Sequence, residues 1–193
     1  SVFLTPPSLD DQTDDWSRLQ NALRKAASLS DVQVSLEVLR KISPVLRQSD
    51  WQVTAVLDSQ TWDCPDCPAR LIDLIPGIVD DYDPMWGVAI DIGTTTVTLW
   101  LVDLVTGEVH AQVAEYNGQI ACGEDVISRI IFSSKEGGAE QLRSLVLQTI
   151  NELVQTACKR AQVQPEEIVK AAIAGNSTMM HLLLGIPATY IRL

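Results

Sequence analysis

The stretch GVAIDIGTTTVTLWLVDL, residues 87–104, constrains this chain more than any other. Two apolar, β-branched runs flank a short polar tip at residues 93–96, so the local pattern is strand, tip, strand. The first run is apolar on both faces apart from Asp91, as a central strand should be. An acid within such a strand predicts a buried carboxylate, which is rare without a metal, a proton or a partner. The tip itself has two readings. Threonine is a good strand residue and Asp-x-Gly is common in plain turns, so it reads as an ordinary hairpin. Equally, Gly93 lets backbone amides approach an anion, and Thr94, Thr95 and Thr96 supply three successive hydroxyls to phosphate oxygens. Residue chemistry alone leaves both open.

The rest of the chain frames that stretch. SVFLTPPSLDD begins as a short strand stopped by Pro6-Pro7, and an acidic helix start follows over residues 10–15. Trp16, Leu19, Leu23 and Ala26 then recur at helical spacing. Val32, Leu36, Leu39 and Ile42 predict a second short helix, which Ser43-Pro44 should break. WQVTAVL and LIDLIPG read as strands, and the acidic stretch IVDDYDPMWG as a boundary. Residues 1–83 are therefore expected to form a small α/β domain, and residues 84–193 a second one. Beyond the opening hairpin, TGE makes a tight turn into a third strand, VHAQVAEYN. GEDVISRIIFSS reads as a helix, and a long helix is expected from about residue 139 to 161. Residues 165–167 form a turn, and IVKAAIAG reads as another buried strand before a helix in NSTMMHLLLG.

With 46% hydrophobic and 20% charged residues, wholesale disorder is excluded. The net charge of -11 argues against nucleic acid or an anionic membrane as main partner. Residues 1–86 hold 14 acidic against 7 basic residues, a net of -7, which is either a docking face for a basic partner or a solubilising surface. No run approaches the roughly 20 apolar residues that span a bilayer, and no signal peptide is visible. Cys64, Cys67, Cys122 and Cys158 show no disulfide-framework spacing, so a reducing cytoplasm is the expected location and Cys64 and Cys67 read as incidental thiols in a loop. The missing initiator Met predicts a chain that begins inside a longer protein.

A second constellation bears on the tip. Gly175, Asn176, Ser177 and Thr178 stand where a strand ends and a helix opens, and free helix N-terminal amides there make an anion site. By itself this pattern is better read as simple N-capping by Asn176 or Ser177. Glu124 and Asp125 open a helix, where favourable charge at its N-terminus is the expected role rather than water activation. His181 reads as a packed or capped histidine, and Trp86 and Trp100 as core or boundary anchors.

Taken together, GVAIDIGTTTV resembles the first phosphate motif of the acetate-kinase, sugar-kinase, chaperone and actin superfamily of ATPases. AIDIGTTTV, LVDLVTGEV, YNGQIACGEDVISRI and AGNSTMMHLLLGIP, in this order, resemble the reductive activators of corrinoid proteins. LTPPSLDDQTDDWSRLQNAL resembles the middle domain that precedes the ATPase core there. The resemblance implies an α/β chain: a small α/β middle domain, used for linking or docking, then the first half of a ribonuclease-H-like, actin-like ATPase core. It implies ATP and Mg²⁺ as cofactors and a corrinoid methyl-carrier protein as partner, and leaves a homodimer open. A [2Fe-2S] cluster is implied in an amino-terminal domain outside this sequence. ATP hydrolysis would help drive an uphill electron that returns Co(II) corrinoid to Co(I).

Under that resemblance Asp91 holds Mg²⁺ or orients the attacking water, Gly93, Thr94, Thr95 and Thr96 cradle the β- and γ-phosphates, and Gly175, Asn176, Ser177 and Thr178 lie near the γ-phosphate. Family members normally read Asn-Pro-Gln where this chain has Asn117-Gly118-Gln119, which removes a φ restraint from that turn. Neither a second phosphate loop nor an adenosine segment is matched, so a fragment inactive alone is expected. Two other classes remain: a sugar or small-acid kinase of the same superfamily, and a non-enzymatic docking module.

Overall fold

The computed structural model describes residues 1–59, 67–80 and 83–192. They form a mixed α/β structure in two compact units, Ser1–Asp83 and Pro84–Leu193.

The first unit runs β1 (Val2–Phe3), α1 (Asp15–Ala27), β2 (Val32–Val34), α2 (Leu36–Gln48), β3 (Gln52–Asp58) and β4 (Ala69–Pro76). Its sheet has the order β1-β3-β4-β2, antiparallel except for the β2–β4 pair. Asp14 caps α1 by accepting from the Ser17 amide at 2.9 Å. Two expectations are corrected here. Val32 belongs to a strand, because the alternating Val-Gln-Val pairs with Ala69–Leu71 and buries Val32. Pro44 does not end α2, which runs on to Gln48. Val38, Ile42 and Leu46, at i, i+4 and i+8, all face the core, while Pro44 lies on the exposed side. Burying Ile42 and Leu46 is worth about 1.5–3 kcal/mol each, enough to offset the ~3 kcal/mol that an interior proline costs. A third expectation also fails. Cys67 is disulfide-bonded rather than a free thiol, and Cys64 lies outside the described residues. Cys122 and Cys158 are free.

The second unit continues with β5 (Trp86–Ile92), β6 (Thr96–Asp103), β7 (Val109–Tyr116), α3 (Val126–Ser133), α4 (Gly138–Ala161), β8 (Ile168–Gly175) and α5 (Ser177–Leu184). The sheet order is β7-β6-β5-β8, with β5 antiparallel to β6 and parallel to β8. α4 packs over β6 and β7, and α5 packs on α4 and β8. Val88, Ile90, Ile92, Val97, Leu99 and Leu101 meet Leu142, Val146, Ile150 and Leu153 of α4 in one core. The apolar run in β8 is not a buried strand: it occupies the sheet edge, and residues 170–174 are exposed. Among the described residues no helix is long and apolar enough to cross a membrane.

The carboxylate of Asp103, buried at the end of β6, closes this unit's entry. It accepts from the amides of Met85 and Val105 and from the Thr106 hydroxyl at 3.2, 2.9 and 2.8 Å. These bonds, led by the Val105 amide, hold its pKa below the ordinary value. A depressed folded-state pKa contributes stability above the unfolded value of about 3.9, and that stability is lost as pH falls through the folded value. Asp103→Asn is therefore expected to melt below the parent at pH 7, with the gap narrowing below about pH 4. Thermal unfolding of both across pH checks this.

Candidate functional site

The central strand brings the two sequence constellations together. Ile92, the last residue of β5, pairs with Val97 on one side and Gly175 on the other. The tip at 93–96 therefore stands beside the start of α5. Close approach requires glycine at 93 and leaves little room for a side chain at 175. A Cβ on Gly93 would lie 2.6 Å from the Thr96 carbonyl oxygen, and one on Gly175 would lie 3.0 Å from that of Ile92.

Asp91 departs from its expected burial. Ile90 and Ile92 face the core, so strand alternation sends Asp91 to the opposite, exposed side, across from Thr98 and Ala174. Its carboxylate is open to solvent and to whatever binds at the strand end.

The tip is a hairpin with an unusual polarity. The Gly93 amide donates to the Thr96 carbonyl at 2.9 Å. The Gly93 carbonyl accepts from Asn117 Nδ2 at 2.9 Å, and that of Thr94 accepts from Arg129 Nη2 at 2.6 Å. The Thr95 carbonyl accepts from the Asn117 amide at 2.8 Å. A trans peptide points its C=O and N–H in opposite directions, and there is no cis bond among the described residues. With the carbonyls of Gly93 and Thr94 held toward the protein, the amides of Thr94 and Thr95 face outward. Neither has a hydrogen-bond partner among the described residues. Successive outward amides of this kind form an anion-binding concavity.

α5 supplies the second wall. Asn176 caps it, accepting from the Met179 amide at 2.9 Å, which leaves the Ser177 and Thr178 amides as first-turn donors. Asn176 Nδ2 also donates to Thr94 Oγ1 at 3.4 Å and so links the two loops. Asn176, Ser177, Thr95 and Thr96 are exposed, and Thr94 is half-buried. Thr178 is buried at 4% exposure.

Four buried polar residues lie behind the tip: Asn117 and Gln119, singled out in the sequence only as the ends of a turn, and Arg129 and Thr149, which went unrecognised. Asn117 Oδ1 accepts from the Gln119 amide at 3.0 Å, and Gln119 Nε2 donates to the Leu142 carbonyl at 2.9 Å. The Gly118 amide donates to Thr149 Oγ1 at 3.1 Å, a bond that proline has no N–H to make. Arg129 donates to the Gly123 carbonyl at 2.9 Å, to Gln119 Oε1 at 3.2 Å and to Met179 Sδ at 3.3 Å, besides Thr94. Burial lowers its pKa, opposed by the nearby Asp125 carboxylate, yet a guanidinium remains charged. The signal available in the sequence was the polar set Asn117, Gln119 and Arg129 sitting between apolar strand and helix.

Asp125 is committed as the N-cap of α3, bonded to the Ser128 amide at 2.9 Å and its hydroxyl at 2.7 Å, and these bonds lower its pKa. Glu124 beside it is exposed. His181 Nδ1 lies 3.1 Å from the Pro187 carbonyl, and Trp86 is buried edge-on to His110.

This arrangement has known counterparts. Residues 1–81 match the family model of the RACo linker region, and residues 86–193 that of the RACo middle region. The chain belongs to the RACo family. It is 39% identical over 118 residues to the corrinoid activation enzyme RamQ of Eubacterium limosum, a match covering 60% of this chain and 19% of that protein. Its fold matches the solved "Reductive activator for corrinoid,iron-sulfur protein" with a TM-score of 0.80 and 41% identity, over 100% of this chain and 30% of that one. The chain thus spans less than a third of the length of either RACo-type relative.

Asn117→Ala would leave the half-buried Gly93 carbonyl without its donor and the Gln119 amide without its acceptor. We expect a stability loss of about 1–3 kcal/mol, the usual cost of an unsatisfied buried polar group, read by urea denaturation.

Proposed function

We propose that this chain is the linker domain and the first half of the actin-like ATPase core of an ATP-dependent reductive activator, which returns Co(II) corrinoid protein to Co(I). The observation that carries the reading is the polarity of the tip: its carbonyls are held inward, its amides face outward, and Asn176 ties it to the first turn of α5. Phosphate recognition by backbone amides at a glycine-containing turn and a helix start needs this arrangement. Family membership supports the corrinoid partner, and the names of the relatives concern corrinoid activation.

In this reading the amides and hydroxyls of Thr94, Thr95 and Thr96 hold the β- and γ-phosphates, and Gly93 keeps the turn tight. Gly175 lets α5 start close to the tip, and the amides of Ser177 and Thr178 and the Asn176 side chain face the terminal phosphate. Thr178, being buried, contributes through its amide and its packing. Asp91 would hold Mg²⁺ through water. A single exposed carboxylate suits an ion whose remaining ligands are phosphate oxygens and water. The bound ion would neutralise phosphate charge, and the chain's own part is positioning. The remaining wall of the nucleotide site and the [2Fe-2S] domain would come from other parts of a longer cytoplasmic protein, with the corrinoid carrier as its partner.

Calorimetry with Mg-ATP on this chain, and on a form extended through the rest of the core, tests the reading. Tight binding by the extended form, weakened at least about 10-fold by Asp91→Ala, is expected for loss of a charged contact. Absence of binding by both forms would overturn it. For the whole activator, ATP-dependent loss of the Co(II) absorbance of an added corrinoid protein is the matching activity readout.

A further inference from the structure

We propose that Arg129 is a positioning residue for nucleotide phosphate, setting the tip from behind and supplying a fixed positive charge beneath it. The proposal rests on the nucleotide reading above and adds to it the group that gives the cradle its polarity.

Three observations carry it. Arg129 is completely buried, so its charge is not a solubilising one. Burying a guanidinium is costly unless something compensates it. No carboxylate forms an ion pair with it among the described residues. Its partners are neutral acceptors: the carbonyls of Gly123 and Thr94, Gln119 Oε1 and Met179 Sδ. The positive charge is therefore held by neutral acceptors rather than by a contacting carboxylate, with Asp125 the nearby acid that offsets part of it.

The shortest of these bonds, 2.6 Å, goes to the Thr94 carbonyl. The same peptide unit carries the Thr95 amide on its other side. Pulling that oxygen inward turns that N–H outward, and the guanidinium polarises the unit in the direction that favours an anion at the amide. Arg129 does not touch the ligand. It acts through one peptide bond, with its own orientation fixed by Gln119 and Gly123.

The test uses the extended form of the core described above, with Arg129→Met, Arg129→Lys and Asp91→Ala, titrated with Mg-ATP and separately with adenosine. Arg129→Met removes charge and donors at similar length. It should weaken Mg-ATP binding about 10- to 100-fold, as expected for lost hydrogen bonds to a charged group, and leave adenosine affinity unchanged. Arg129→Lys keeps the charge but not the fork, and should fall between. Equal weakening of Mg-ATP and adenosine would mean a general structural role and overturn the proposal. Unchanged Mg-ATP binding in Arg129→Met, with Asp91→Ala weakened, would also overturn it while sparing the nucleotide reading. If all three variants bind Mg-ATP like the parent, the phosphates do not sit at this tip, and the proposal falls together with the assignment of the site. Should Arg129→Met lose its cooperative melting transition, Arg129→Lys decides alone: selective weakening toward Mg-ATP supports the proposal, and parent-like or uniformly reduced affinity overturns it.

Discussion

A planar trans peptide cannot point its oxygen and its hydrogen the same way, and the second unit is organised around that constraint at the tip between β5 and β6. Three consecutive carbonyls, those of Gly93, Thr94 and Thr95, are each claimed by a buried donor. Everything behind the tip serves to place those donors. Asn117 follows directly on β7, Arg129 projects from α3, and both lie against Met179 of α5. The strand pairing contributes the other half. β5 lies between β6 and β8, so one strand end presents both the tip and the start of α5.

The polar cluster that does this is costly to bury, and its members are accordingly well bonded. Gln119 uses its amide at both ends, toward Arg129 and toward the Leu142 carbonyl. The turn at Asn117-Gly118-Gln119 has glycine at its centre and is secured by hydrogen bonds. Asn117 Oδ1 accepts from the Gln119 amide, and the Gly118 amide reaches Thr149. Thr149 in turn donates to the Leu145 carbonyl at 3.0 Å. The turn's shape thus depends on bonds to a neighbouring helix, that is on tertiary packing, rather than on a local φ restraint.

Much of this was legible in the sequence, for identifiable reasons. The strands from residue 86 onward announced themselves through continuous apolar runs, and the capped helices through Asp14, Asp125 and Asn176. The proximity of Gly93 to Gly175 followed from placing two loops at strand ends of one sheet. The errors have physical sources as well. Val32 is in a strand too short for its period to be separated from the helix that follows. Pro44 is tolerated because its side of α2 faces water. Asp91 was expected to be buried because its strand is central, but a central strand still has two faces and one of them is open here. Arg129 was passed over because helical arginines are ordinarily solvated. Only the three-dimensional convergence of α3, α5 and the hairpin removes this one from water.

The attachment of the tip to α4 has a mechanical meaning. The helix is 24 residues long, about 36 Å at 1.5 Å per residue. Near its first half it grips the Asn117–Gln119 turn at Leu142 and Thr149, and near its far end Arg160 holds the Gln112 carbonyl of β7 at 3.0 Å. The grips at Leu142 and Thr149, about two turns apart, keep the turn from pivoting on the helix, and Arg160 ties the far end of the helix to β7, so helix, turn and strand form a closed frame. A push on α4 at its far end therefore meets β7 as well as the turn beneath the phosphate loop, and that turn can shift only together with the strand that leads into it.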